Sequence, residues 1–235
     1  LNLTSWHYWT NEDDKILKPK EVKNLLRIFP YVKAMSSHSL RPKFGYEEEI
    51  NRNIRYVTIL RDPIERYLSN YYFQKDVMGM GWNFESYLEE KRFHNFMVKK
   101  LTGTNDLKRA KQIIDDFFFV GFVEEFDRSL ILLKDRLETP FNINYKKRRV
   151  NSNKKHDKYA KGLNPEQLNS VKEKNKLDME LYNYAYNNFE ERINRINNID
   201  KLESEFKEEN QNYEFPQWKM KTFKMYRKIY YRNVE

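Results

Sequence analysis

The chain has 235 residues, enough for one α/β domain with its own core or two small ones. Its composition is polar, with 34% charged against 39% hydrophobic residues and a mean hydropathy of −0.97, and no apolar run approaches the roughly 20 residues that span a bilayer as a helix. The absence of cysteine excludes disulfides, thiolate metal sites and a cysteine nucleophile, while 44 Lys and Arg against 35 Asp and Glu leave a net charge of +9 that favours anionic partners: nucleotide, acidic glycan, nucleic acid or membrane surface.

Residues 1–10, LNLTSWHYWT, show no clear period and are read as the end of a helix that starts before residue 1. Pro19 opens an amphipathic helix through Phe29, with Val22, Leu25, Leu26 and Phe29 on one face, and Pro30 ends it. Residues 31–35 are predicted as a short strand, followed by the polar stretch Ser36-Ser37-His38-Ser39. Residues 56–60, YVTIL, are the β-branched and aromatic run of a buried strand. Arg61-Asp62-Pro63 breaks it and starts a helix: Asp62 suits the N-cap, Pro63 the first helical position and Glu65 the third. Ile64, Leu68, Tyr71 and Tyr72 then hold one apolar face.

Arg61, at the strand's carboxyl end, and Ser69, two turns into the helix, can both reach an anion at the helix start. The plainer alternative is a well-capped helix with a surface arginine. Ligand groups gather beyond the carboxyl ends of strands in open α/β sheets, which places His38 and Arg61 on one rim.

Downstream, Gly79-Met80-Gly81 reads as a turn, residues 84–101 as helical segments, and Asn105 or Asp106 as the cap of a helix ending at Asp116. Residues 117–122, FFFVGF, form a strand and Glu124 to Leu137 an amphipathic helix. Residues 146–155, KKRRVNSNKK, are the densest basic run, either a solvated loop, a nucleic-acid patch or a cover over a bound nucleotide. Asn164-Pro165 caps another helix, a long helical tract runs from Leu177 to about Asn210, and residues 218–231 form a basic, aromatic helix that docks on the core or, less favoured, meets a membrane surface. No repeat of 20 to 50 residues is present.

R-D-P-x-x-R-x-x-S-x-Y, here Arg61, Asp62, Pro63, Arg66, Ser69 and Tyr71, resembles the 3′-phosphate-binding motif of carbohydrate sulfotransferases, which use 3′-phosphoadenosine 5′-phosphosulfate (PAPS) as donor. Residues 117–137, FFFVGFVEEFDRSLILLKDRL, resemble that family's V-G strand and following helix, and residues 178–193 resemble its late D-x-x-L-Y-x-x-A helix. The resemblance covers roughly residues 30 to 195. It implies a three-layer, P-loop-kinase-like α/β fold with a short, mostly parallel sheet and a helical C-terminal third, arranged as a single domain over residues 1–235 with an α/β core to residue 175 and a helical extension from residue 176.

The resemblance also implies that Arg61 and Ser69 bind the donor's 3′-phosphate, that Asn151, Ser152 and Lys155 contact the nucleotide, and that His38 is the general base. His7, His94 and His156 have weaker settings for that role, and Glu65 is a substitute base. No metal is implied. The partners are the nucleotide sulfate donor and a hydroxyl acceptor, a carbohydrate, in preference to nucleic acid. The cysteine-free composition favours a bacterial cytoplasm over a Golgi lumen.

One part of the family pattern has no counterpart. The 5′-phosphosulfate loop, P-K-x-G-x-T or similar, matches none of the six glycines Gly45, Gly79, Gly81, Gly103, Gly121 and Gly162. Either the sequence starts downstream of that loop, or the protein is an inactive relative that keeps only the 3′-phosphate half-site. Two other classes remain open: a non-catalytic basic module for polyanions, and a nucleoside-triphosphate enzyme, for which a G-x-x-x-x-G-K-[ST] loop is missing.

Overall fold

The computed structural model describes residues 5–8, 16–28, 30, 32–137, 142–145, 162–214, 218, 221 and 225. The whole basic run at 146–155, with Asn151, Ser152 and Lys155, and most of the expected helix at 218–231 lie outside the described residues.

The chain opens with β1 (Ser5–Tyr8), not with a helix end: β1 pairs in parallel with β2 (Ala34–Ser37), Ser5 opposite Ala34 and Tyr8 opposite Ser37. Four residues have no local preference strong enough to override a ladder to a partner about thirty residues away, so tertiary pairing decides their state. The same pairing moves the second strand three residues beyond the expected Tyr31 start, and His38 follows it directly.

Between them lies α1 (Pro19–Ile28), which buries Val22 and Leu25. After a 3₁₀ turn, Pro42–Phe44, comes α2 (Tyr46–Ile50). β3 (Val57–Leu60) and α3 (Pro63–Tyr72) follow, then α4 (Phe84–Glu89), α5 (Phe96–Thr102) and α6 (Leu107–Asp116). β4 (Phe119–Phe122) runs parallel to β3 with Val57 opposite Phe119 and Leu60 opposite Phe122. α7 (Phe126–Leu137), α8 (Pro165–Lys174), α9 (Lys176–Ile193) and α10 (Ile199–Gln211) complete the order. Among the described residues the architecture is thus mostly helical α/β with two short parallel strand pairs.

Helix starts follow the side chains that accept their orphan amides. Asp62 Oδ1 accepts from Ile64 N and Glu65 N at 2.9 Å each, Asp106 Oδ1 accepts from Arg109 N at 2.9 Å, and Asn164 forms a capping box with Gln167. The largest core cluster gathers Leu60 of β3, Phe119 and Phe122 of β4, Val98 of α5, Ile113 and Ile114 of α6, and Leu181, Ala185, Phe189 and Ile193 of α9. A second cluster joins Ile64, Tyr67, Leu68 and Tyr71 of α3 to Tyr87 of α4 and Val171 of α8. The apolar face expected on α3 is the one buried, with Tyr67 added to it.

Gly121 of β4 is required by close approach. A Cβ there would lie 2.7 Å from Ile59 Cδ1 and 2.8 Å from both Phe119 and Ser129 Cβ. Ser129, fully buried on α7, donates to the Phe122 carbonyl and accepts from the Phe122 amide, so the strand and the helix meet where any side chain would intrude. Gly121→Ala is expected to destabilise the fold by about 1–3 kcal/mol through overpacking, read as a lower midpoint in urea unfolding. An unchanged midpoint would show that Ile59 and α7 yield without cost.

Candidate active site

Arg61 and Ser69 belong to one unit, the β3–α3 strand and helix. Arg61 follows the last strand residue directly, and Ser69, half-buried, lies two turns into α3 on the side of Asp62. The backbone amides at the helix start are all engaged within the protein. Asp62 N donates to Glu124 Oε1 at 2.9 Å, Ile64 N and Glu65 N donate to Asp62 Oδ1, and Arg66 N donates to the Asp62 carbonyl at 2.8 Å; Pro63 has none. An anion here therefore meets side chains and the field of the helix, not open N–H groups.

The Arg61 guanidinium lies 3.7 Å from Glu65 one turn on, with a third of its side chain exposed. Glu124, just beyond β4, accepts from Asp62 N with one oxygen and from the Tyr182 hydroxyl of α9 with the other, at 2.9 Å each. Burial, with that carboxylate beside it, pushes the Tyr182 phenol well above its ordinary range, so it stays a neutral donor. The turn that carries Arg61 is thereby tied to α9.

His38 follows β2 and is exposed. Its backbone is held by its surroundings: Arg41 Nη1 donates to the His38 carbonyl at 2.6 Å, Ser39 N donates to Ser37 Oγ at 3.0 Å, and Leu17 N donates to the Ser39 carbonyl at 3.0 Å. Behind this turn the buried Tyr46 accepts from Arg41 N and donates to the Leu17 carbonyl at 2.6 Å. His38 and Arg61 thus each stand at the carboxyl end of a strand, His38 on the β1–β2 pair and Arg61 on the β3–β4 pair. The other histidines and Glu65 are placed differently. His94 has its Nε2 2.8 Å from the Leu88 carbonyl, and burial lowers its pKa; Glu65 faces Arg61; the side chain of His7 and the whole of His156 lie outside the described residues.

Arg66, the second arginine of the R-D-P-x-x-R segment, is largely buried. It donates to Asn175 Oδ1 at 3.3 Å and the Phe93 carbonyl at 3.4 Å, lies 3.9 Å from Asp178, and stacks over the Phe96 ring. Asp178, fully buried on α9, caps α5 by accepting from Met97 N and Val98 N at 2.9 Å each, while Asn95 caps α9 by accepting from Leu177 N at 3.0 Å. Burial pushes the Asp178 carboxyl above its usual range, opposed by the two amides and Arg66. The helical spacing of residues 178–193 gave no sign of this reciprocal cap, because its partners lie about eighty residues apart.

Among the described residues no group of three or more His, Asp or Glu could hold a metal ion, and no helix is long and apolar enough to cross a membrane.

Among the described residues, the chain is thus an α/β fold with two parallel strand pairs, His38 standing beyond the end of one and Arg61 beyond the end of the other. The family model described as sulfotransferase family matches residues 5–185, more than three quarters of the chain, and the chain belongs to that family: it is a sulfotransferase. No curated protein matches it.

Proposed function

We propose that the chain transfers a sulfuryl group from PAPS to a hydroxyl of a carbohydrate. In this reading the acceptor oxygen attacks sulfur in line, the new S–O bond forms as the bond from sulfur to the 5′-phosphate oxygen breaks, and 3′-phosphoadenosine 5′-phosphate leaves. His38 takes the hydroxyl proton as general base. Arg61 and Ser69 hold the 3′-phosphate, and Asn151, Ser152 and Lys155 close over the nucleotide. The sheet and its helices would form the three-layer, P-loop-kinase-like arrangement.

The observation that carries this reading is the placement of His38 and Arg61, each directly beyond the carboxyl end of a parallel strand, on a chain of the sulfotransferase family. Calorimetric titration with 3′-phosphoadenosine 5′-phosphate, with 5′-AMP alongside, tests it. Clear preference for the 3′-phosphorylated nucleotide supports the half-site. Equal affinity for the two, with steep salt dependence, would favour a basic polyanion-binding module instead.

A further inference from the structure

The opposite end of the same strands carries a cationic cluster that the transfer chemistry does not use. Arg55 lies two residues before β3 and Phe118 one residue before β4. Two guanidinium groups lie over the Phe118 ring, those of Arg55 and of Arg136 near the end of α7, each with its Cζ 4.8 Å from the centroid. Arg192, in the last turn of α9, is close enough to Arg136 for like-charge repulsion to lower the Arg136 pKa, in addition to the larger effect of burial.

Among the described residues none of the three forms an ion pair or donates a side-chain hydrogen bond. Elsewhere on this molecule cationic side chains find carboxylates: Arg128 pairs with Glu125, Asp200 and Glu203, and Lys174 with Glu89. Holding three like charges together without a counterion costs stability.

Held over the ring and with no partner among the described residues, these guanidinium groups keep N–H donors open to a planar or tetrahedral oxyanion. Arg55 is exposed and Arg136 and Arg192 are half-buried, so an anion can reach the forks from solvent. The ring itself is engaged by two arginines and is not presented to a nucleic-acid base, which needs an aromatic face for stacking. Arg55 precedes Arg61 by six residues, about 20 Å of extended chain, which separates the cluster from the donor-binding turn.

We propose that Arg55 and Arg136, held over Phe118, together with the neighbouring Arg192 form a second anion site that binds a sulfate group, free or carried on an oligosaccharide. The site stands on its own geometry and does not depend on the donor assignment.

The test compares wild type with the double variant Arg55→Ala, Arg192→Ala, titrated with inorganic sulfate and with a short sulfated oligosaccharide. Calorimetry and the arginine Nε–Hε resonances follow binding, and 3′-phosphoadenosine 5′-phosphate serves as control for the donor turn. The expected result is about tenfold weaker binding of at least one sulfate ligand in the variant, with nucleotide affinity unchanged. A loss confined to inorganic sulfate marks a free-ion site; a larger loss for the oligosaccharide marks chain-borne groups. Wild type that binds neither ligand, or a variant that binds both as well as wild type, overturns the proposal. Should the double variant fail to fold, Arg55→Gln at the exposed position takes its place under the same criteria.

Discussion

Arg61→Ala is expected to weaken binding of 3′-phosphoadenosine 5′-phosphate by about 2 kcal/mol, roughly thirtyfold in Kd. The amides of the α3 start are closed off by Asp62 and Glu124, so the arginine is left as the principal source of ionic contact on this turn. The magnitude sits at the low end for a charge pair because a third of the side chain is exposed and Glu65 already shares its charge. Calorimetry on the variant reads the loss directly, and Arg61→Lys should recover only part of it, since an ammonium lacks the bidentate fork. If the alanine variant binds the nucleotide like wild type, the 3′-phosphate does not sit on this turn.

His38→Ala is expected to slow sulfuryl transfer by about 10²–10⁴-fold and to leave nucleotide affinity unchanged. The turn around His38 is held through backbone groups that alanine leaves in place, Arg41 on its carbonyl and the Ser39–Leu17 bond beside it. Single-turnover rates measured with saturating donor isolate the chemical step. A variant that loses nucleotide affinity without a rate defect would make His38 a binding residue.

Much of the β3–α3 turn was legible because its determinants are local. Asp62, Pro63 and the Ile64–Leu68–Tyr71 face lie within ten residues, and each does in the fold what its type and position suggest. The β4–α7 unit was legible for the same reason, and Gly121 turned out to mark a close approach that its strand propensity alone would have penalised. What stayed hidden is long-range. β1 becomes a strand only because β2 lies beside it. Glu124 reads as one acid among many until its oxygens are seen on Asp62 and Tyr182. Nothing local in the motif foretells that Arg66 is committed to Asn175 and Asp178, over a hundred positions away. The cluster of Arg55, Arg136 and Arg192 has no sequence signature, since three different elements supply it.

The mutual cap between α5 and α9 sets a lower limit on how far the protein can be shortened. A chain ending just before Lys176 would strip α5 of the carboxylate that satisfies Met97 and Val98, and would leave Arg66 as a buried cation facing no countercharge. Even a boundary at residue 185, where the family match stops, would divide α9 and discard Phe189 and Ile193 from the main core. The last two turns of α9, past the recognised family segment, therefore belong to the core that supports the β3–α3 unit.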